Sequence, residues 1–166
     1  MPDSDERSRA WRIALDTPTG FLAFGFGSGL SPRAPGTAGT VAALPFGVLL
    51  VQLPLVMAVA VVAAAFLIGI WLCGVTGRRL GGHDHGGIVW DEFVGIWMVL
   101  IFIPFDWGWW LAAFVAFRVF DILKPWPIGW LDKRVSGGFG VMLDDAVAAV
   151  YALVVLLAAR HLIFGG

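Results

Sequence analysis

Long apolar stretches alternate with short polar, glycine-rich segments along this chain, and most of its charges fall in the polar segments. Thr17-Pro18 reads as a helix start, with threonine capping and proline at the first helical position. Residues 21–26 are apolar but too short to cross a bilayer, and the Gly/Ser/Pro-rich stretch 25–39 reads as loop. From residue 41 to 75 the one strongly polar side chain is Gln52, beside Pro54, so the run divides into two arms, 41–53 and 55–75. A bilayer crossing takes ~20 apolar residues, which suits the second arm and leaves the first short. Residues 93–105 form a further apolar run, closed by Pro104 and an Asp106-Trp107-Gly108 turn. Residues 109–123 follow and end at Lys124-Pro125, because proline disfavours helix at the residue before it. A polar loop over 129–140 and a last apolar run over 146–159 complete the chain. The expectation is an all-α integral membrane bundle of about four to five apolar helices with its polar loops on one face. Residues 1–16 read as a solvated leader, and residues 17–166 as a single membrane-embedded domain.

Composition strengthens the lipid reading. Of the 166 residues 59% are apolar and only 14% charged, too few charges to cover the surface of a soluble helical protein. A net charge of −1 gives no polybasic footprint, so nucleic acid is not an expected partner. Cys73 is the single cysteine, which excludes an internal disulfide and reads as a buried, inert thiol. The nine tryptophans, four of them at 107, 109, 110 and 126, suit an interfacial aromatic belt. Arg7, Arg9, Arg12, Arg33, Arg78, Arg79, Lys124, Lys133 and Arg134 all fall in the leader or the polar loops, whereas the two tight turns carry no lysine or arginine. The positive-inside rule then puts leader and loops in the cytoplasm, with Arg160 the exception.

Four polar clusters remain on that one face. The loop 25–39 contains Gly27, Ser28 and Arg33; glycine amides approach an anion closely and an arginine forks onto two phosphate oxygens. His83-Asp84-His85 precedes Asp91-Glu92 at a helix entry. The two histidines are weak metal candidates, but paired carboxylates beside a lipid-length helix are costly and suggest function. Arg118, Asp121 and Lys124 recur every three residues and share one helical stripe, where ordinary ion pairing is the competing explanation. Asp132 could join them from the following loop. Lastly, a glycine turn at 137–140 leads to Asp144-Asp145, read as a second acidic pair at a helix start.

Five converging carboxylates, Asp91, Glu92, Asp121, Asp144 and Asp145, need a cation to offset their repulsion, and hard oxygen ligands suit Mg2+. With Gly27, Ser28, Arg33, Arg118 and Lys124 as anion binders, this is the equipment of metal-assisted phosphoryl transfer. No serine or cysteine stands in a nucleophile setting, so activated water is the expected attacker, with an aspartyl-phosphate variant left open. The rival class is a transporter or ion pathway, which would spread its acids through the membrane depth.

The strings GFGSGLSPRAPGTAGT, HDHGGIVWDEFVG, FRVFDILKPWPI and GGFGVMLDD, in this order, resemble those of bacterial phosphatidylglycerophosphatase A, and the resemblance runs from Phe21 onward. It implies a bacterial Mg2+-dependent phosphatase that acts on phosphatidylglycerophosphate and yields phosphatidylglycerol. Joined to the topology read from the basic residues, the expectation is a multi-pass inner-membrane protein with its active site facing the cytoplasm. It carries over to Asp91, Glu92, Asp121, Lys124, Asp144 and Asp145. One departure is Ala148-Ala149 where the family often has Ala-Gly, a change of packing rather than chemistry.

Overall fold

The computed structural model describes residues 4–81 and 85–164. Among them are eight α-helices, one 3-10 turn and no strand: α1 (Ser4–Asp16), α2 (Pro18–Ala23), α3 (Pro35–Leu50), α4 (Leu55–Leu80), α5 (Trp90–Leu100), α6 (Trp107–Leu123), α7 (Ile128–Arg134) and α8 (Gly137–Phe164), with the 3-10 turn at Ser28–Leu30. The all-α expectation holds. Among the described residues, α4 and α8 are the two helices both long and apolar enough to cross a membrane.

The helix starts follow local chemistry. Thr17 Oγ1 accepts from Gly20 N at 3.0 Å, and Pro18 opens α2 as its lack of an N–H favours. Asp106 Oδ1 accepts from the amides of Gly108 and Trp109, capping α6. Gly81, at φ 124, stops α4 in a conformation that side-chain-bearing residues avoid.

The 11-residue α5 is the centre of the molecule. Phe93, Val94, Ile96, Val99 and Leu100 are all buried, leaving no solvated face. Helices α3, α4, α6 and α8 pack around it. Indole groups tie it to two of them: Trp90 donates to Ala65 O at 3.1 Å and Trp97 to Ala43 O at 2.9 Å. Such bonds satisfy helix carbonyls in an apolar surround, where an unpaired polar group is costly.

Helices α4 and α8 cross very closely at Gly138, where an added Cβ would strike the Ile70 carbonyl and Gly74. That contact explains a difference from the sequence reading. The glycine segment after residue 136 is not a turn leading to a helix; it is the first turn of α8. Asp144 and Asp145 therefore lie two turns inside α8, not at its start. The polar loop expected over 129–140 contains α7, and the first apolar arm begins at Pro35 and runs through Pro45. The segment read as a solvated leader forms α1, which buries Ala10 and Ala14 beside Phe24 and leaves Arg9 and Arg12 exposed.

Away from α5, the long helices are bare. Val56, Leu67, Ile68 and Trp71 on α4 and Val154, Leu162 and Phe164 on α8 are exposed, so neither is the core helix of a soluble protein. Trp107 and Trp126, both exposed, bracket the two ends of α6.

Candidate active site

Charged side chains of the core gather where α3 and α5 begin, α6 ends and α8 completes its second turn. Asp91, Glu92 and Asp145 each offer a carboxylate oxygen to a group whose members lie within 4.8 Å of one another. Buried oxygens Oδ1 of Asp91, Oε2 of Glu92 and Oδ2 of Asp145 have no hydrogen-bond donor. Three buried acceptors without donors, drawn from three adjacent carboxylates, are what a hard divalent cation would satisfy. The donor set therefore fits the metal that the sequence implies.

Arg118 forms the cationic wall beside this group. Its Nη1 lies 2.6 Å from Asp121 Oδ2 and 3.7 Å from Glu92 Oε1. Asp121 also interacts with the Asp145 carboxyl, so it links the arginine to the acidic group. Asp144, next in chain to Asp145, points elsewhere: Lys124 Nζ donates to its Oδ2 at 2.5 Å and to Asp132 Oδ1 at 2.7 Å. Burial works to lower the Lys124 pKa, but these two hydrogen bonds outweigh it and hold the ammonium above its ordinary value. The cation is therefore permanent near neutral pH. Lys124 itself adopts φ 42 at the end of α6, a turn that carries its side chain toward α8.

The predicted phosphate loop divides. Ser28 Oγ donates to Gly25 O at 2.8 Å, and an added Cβ at Gly27 would meet open space. Arg33 is exposed. No described contact joins these three to the carboxylates. Instead the loop braces the entry to α5: Val89 N donates to Ala23 O at 2.9 Å, and Gly29 abuts the Gly87 carbonyl. The loop residue that does reach the site is Gly36, whose added Cβ would collide with Glu92 Oε1 and stand 3.0 Å from the Arg118 guanidinium. Its signal was Pro35-Gly36, a proline at a helix start that places the next residue in the first turn.

Asp132 enters through its bond to Lys124, as its position after α6 allowed. Arg78 and Lys133, read only as topology signals, share a recess of about 260 Å3 with Asp132 and Cys73. Cys73 is buried, as expected, but it also neighbours Asp91 and stands 3.8 Å from Met142 Sδ. His83 and Asp84 lie outside the described residues, and His85 Nδ1 accepts from Gly87 N at 3.1 Å.

Described residues that are all helical or loop, two membrane-length helices and a carboxylate group beside Arg118 make this a membrane-associated protein with an acidic centre. The family can be stated more closely. The phosphatidylglycerophosphatase A family model matches residues 21–160, and the chain belongs to that family. Phosphatidylglycerophosphatase A of Escherichia coli strain K12 is 48% identical over 151 residues, covering 90% of this chain and 88% of that protein. The Haemophilus influenzae protein of the same name is 49% identical over 152 residues, covering 90% and 93%. A Bacteroides thetaiotaomicron protein, provisionally named phosphatidylinositol-3-phosphatase, is 39% identical over 147 residues, covering 84% and 91%. No solved structure matches the chain significantly.

Proposed function

We propose that this protein is a lipid phosphatase that hydrolyses the terminal phosphate of phosphatidylglycerophosphate, releasing phosphatidylglycerol and inorganic phosphate. Two relatives about half identical over nine-tenths of the chain carry that activity in their names. The observation that carries the chemistry is the trio of buried, donorless carboxylate oxygens on Asp91, Glu92 and Asp145, with Arg118 reaching the other Glu92 oxygen at 3.7 Å.

Asp91, Glu92 and Asp145 would hold Mg2+, with Asp121 at its border. When bound, the ion supplies charge neutralisation on the phosphoryl oxygens and acidification of a water. Arg118, aimed by Asp121 and Glu92, gives the guanidinium donors that bind phosphate oxygens and stabilise charge as the P–O bond breaks. Lys124 fixes Asp144, and with it the turn of α8 that presents Asp145. A water oxygen adds to phosphorus, the lipid alkoxide leaves and takes up a proton, and a cluster carboxylate orients the water.

The same reading puts the protein in the bacterial inner membrane with the acidic end toward the cytoplasm. Helices α4 and α8 provide two crossings, and the α3 and α5–α6 segments provide further ones around the buried α5. Supporting this are Trp107 and Trp126 at opposite ends of α6, and Arg78, Arg79, Lys133 and Arg134 at the acidic end. An ion pathway would need acids along the membrane depth, whereas these five lie at one end. The test is phosphate release by purified protein from phosphatidylglycerophosphate and from phosphatidylinositol 3-phosphate, each with and without Mg2+. Release from the first substrate, dependent on Mg2+, is expected; release from the inositol lipid alone would reassign the substrate.

A further inference from the structure

Helices α4, α5 and α8 leave an open groove of about 500 Å3 between them, lined without a single polar side chain. We propose that this groove holds one fatty acyl chain of the lipid substrate. The proposal rests on the lipid-phosphatase reading and specifies how that site takes hold of a lipid.

Continuity with the acids is the first argument. The α8 wall begins at Ala146, directly after Asp145, and continues through Ala149 and Val150 to Leu153. Those positions advance ~10 Å along the helix, away from the carboxylates and toward the opposite end of the bundle. Helix α4 runs antiparallel beside it, with Gly74 against Gly138 and Gly69 against Met142, so Phe66 stands near the acidic end and Val59 at the far end. Polar chemistry and apolar channel thus lie end to end along α8.

Shape and surroundings identify the occupant. Alanines 146 and 149 line the groove between the larger Phe66, Met98 and Phe102, and its volume falls in the ~300–1,000 Å3 range of small-ligand sites. Val59, Leu67 and Val150 at its margins are exposed and continuous with the bare apolar faces of α4 and α8. A site that opens onto such faces is filled from the lipid phase. A lipid tethered by its head group near Asp145 has its chains at high effective concentration there.

The experiment compares dioleoyl with dihexanoyl phosphatidylglycerophosphate in detergent micelles. Val59→Trp and Val150→Trp would obstruct the groove from exposed positions, and Val154→Trp, exposed on α8 but outside the lining, is the control. In the two groove variants the long-to-short ratio of kcat/KM should fall about tenfold, the scale of hydrophobic-pocket discrimination, and in the control it should stay within about twofold. An unaltered ratio, or equal losses on both substrates, overturns the proposal; equal losses with a changed oligomeric state would assign the groove to a second copy instead. Wild-type protein should also be labelled within α4 or α5 at the groove by a phospholipid bearing a photoreactive acyl terminus. Labelling confined to other surfaces overturns the proposal independently of turnover. Wild-type protein that releases phosphate from neither substrate refutes the parent reading, and the labelling then decides the groove by itself.

Discussion

Asp144 and Asp145 are consecutive residues of α8, yet they answer to different partners: Asp144 is held by Lys124, whereas Asp145 joins Asp91 and Glu92. Successive helical residues point about 100° apart, so one acidic dipeptide can serve two purposes. The first is a supporting ion pair, and the second a place in the carboxylate group. The arrangement separates residues whose loss would remove chemistry from those whose loss would misplace it.

Asp91→Asn and Asp145→Asn should each lower phosphate release at least ~10²-fold if these carboxylates hold the metal as proposed. The same changes should raise thermal stability in metal-free buffer by a few degrees, because an amide relieves repulsion within a group confined to 4.8 Å. Activity and melting temperature measured on the same preparations check both halves. Wild-type turnover in either variant would exclude that carboxylate from the site.

Chelation should abolish turnover, and added Mg2+ should restore it. Ca2+ should restore little, because its longer bonds and flexible coordination would hold a phosphate oxygen and a water less strictly in place than octahedral Mg2+. A readout free of catalysis is the melting temperature, which should climb with Mg2+ concentration as binding to the folded state alone requires. An unchanged melting temperature across millimolar Mg2+ would count against the metal site.

Lys124→Met should act through position. It removes the ammonium that pairs with Asp144, whose side chain is only 7% exposed, so stability should fall by about 1–2 kcal/mol, discounted because Lys124 is itself partly solvated. Turnover should drop about tenfold, the scale at which supporting contacts to a metal site act. Asp132→Asn removes the more exposed partner and should cost less of both. Equal losses in the two variants would mean that Lys124 does not work through Asp144.

How much of this was readable in advance depends on which force dominates each segment. Asp91 and Glu92 stood out because carboxylates beside an apolar run have few innocent explanations, and they do open α5. Asp145 meets them from two turns inside α8, a depth that local sequence does not signal. Nor were the boundaries of α8 legible. Gly137, Gly138 and Gly140 read as loop by intrinsic propensity, but tertiary contact with α4 overrides propensity where only a hydrogen fits against the Ile70 carbonyl. Helix α1 was obscured by Arg7, Arg9 and Arg12, whose charges hide the small Ala10 and Ala14 pair that docks it. Ser28 was legible as a polar residue in a glycine loop, but nothing local told that its hydroxyl bonds its own backbone rather than a ligand.

Gly36→Ala provides the sharpest test of the site's geometry, because secondary-structure propensity and site packing predict opposite outcomes. Alanine in the first turn of α3 should, on propensity alone, stabilise the helix by up to ~1 kcal/mol. Here the new methyl would fall on Glu92 Oε1 and press the Arg118 guanidinium, so these side-chain ends must shift and the spacing of their ion pair must change. Phosphate release should therefore fall at least tenfold while the protein stays folded, a loss typical of small misplacements in a preorganised site. Gly27→Ala, in open space but at φ 92, should cost some stability through backbone strain and leave the turnover of the folded fraction intact. If both variants behave alike, the Gly36 contact does not set the site's geometry and Glu92 with Arg118 is not the wall against which the phosphate is held.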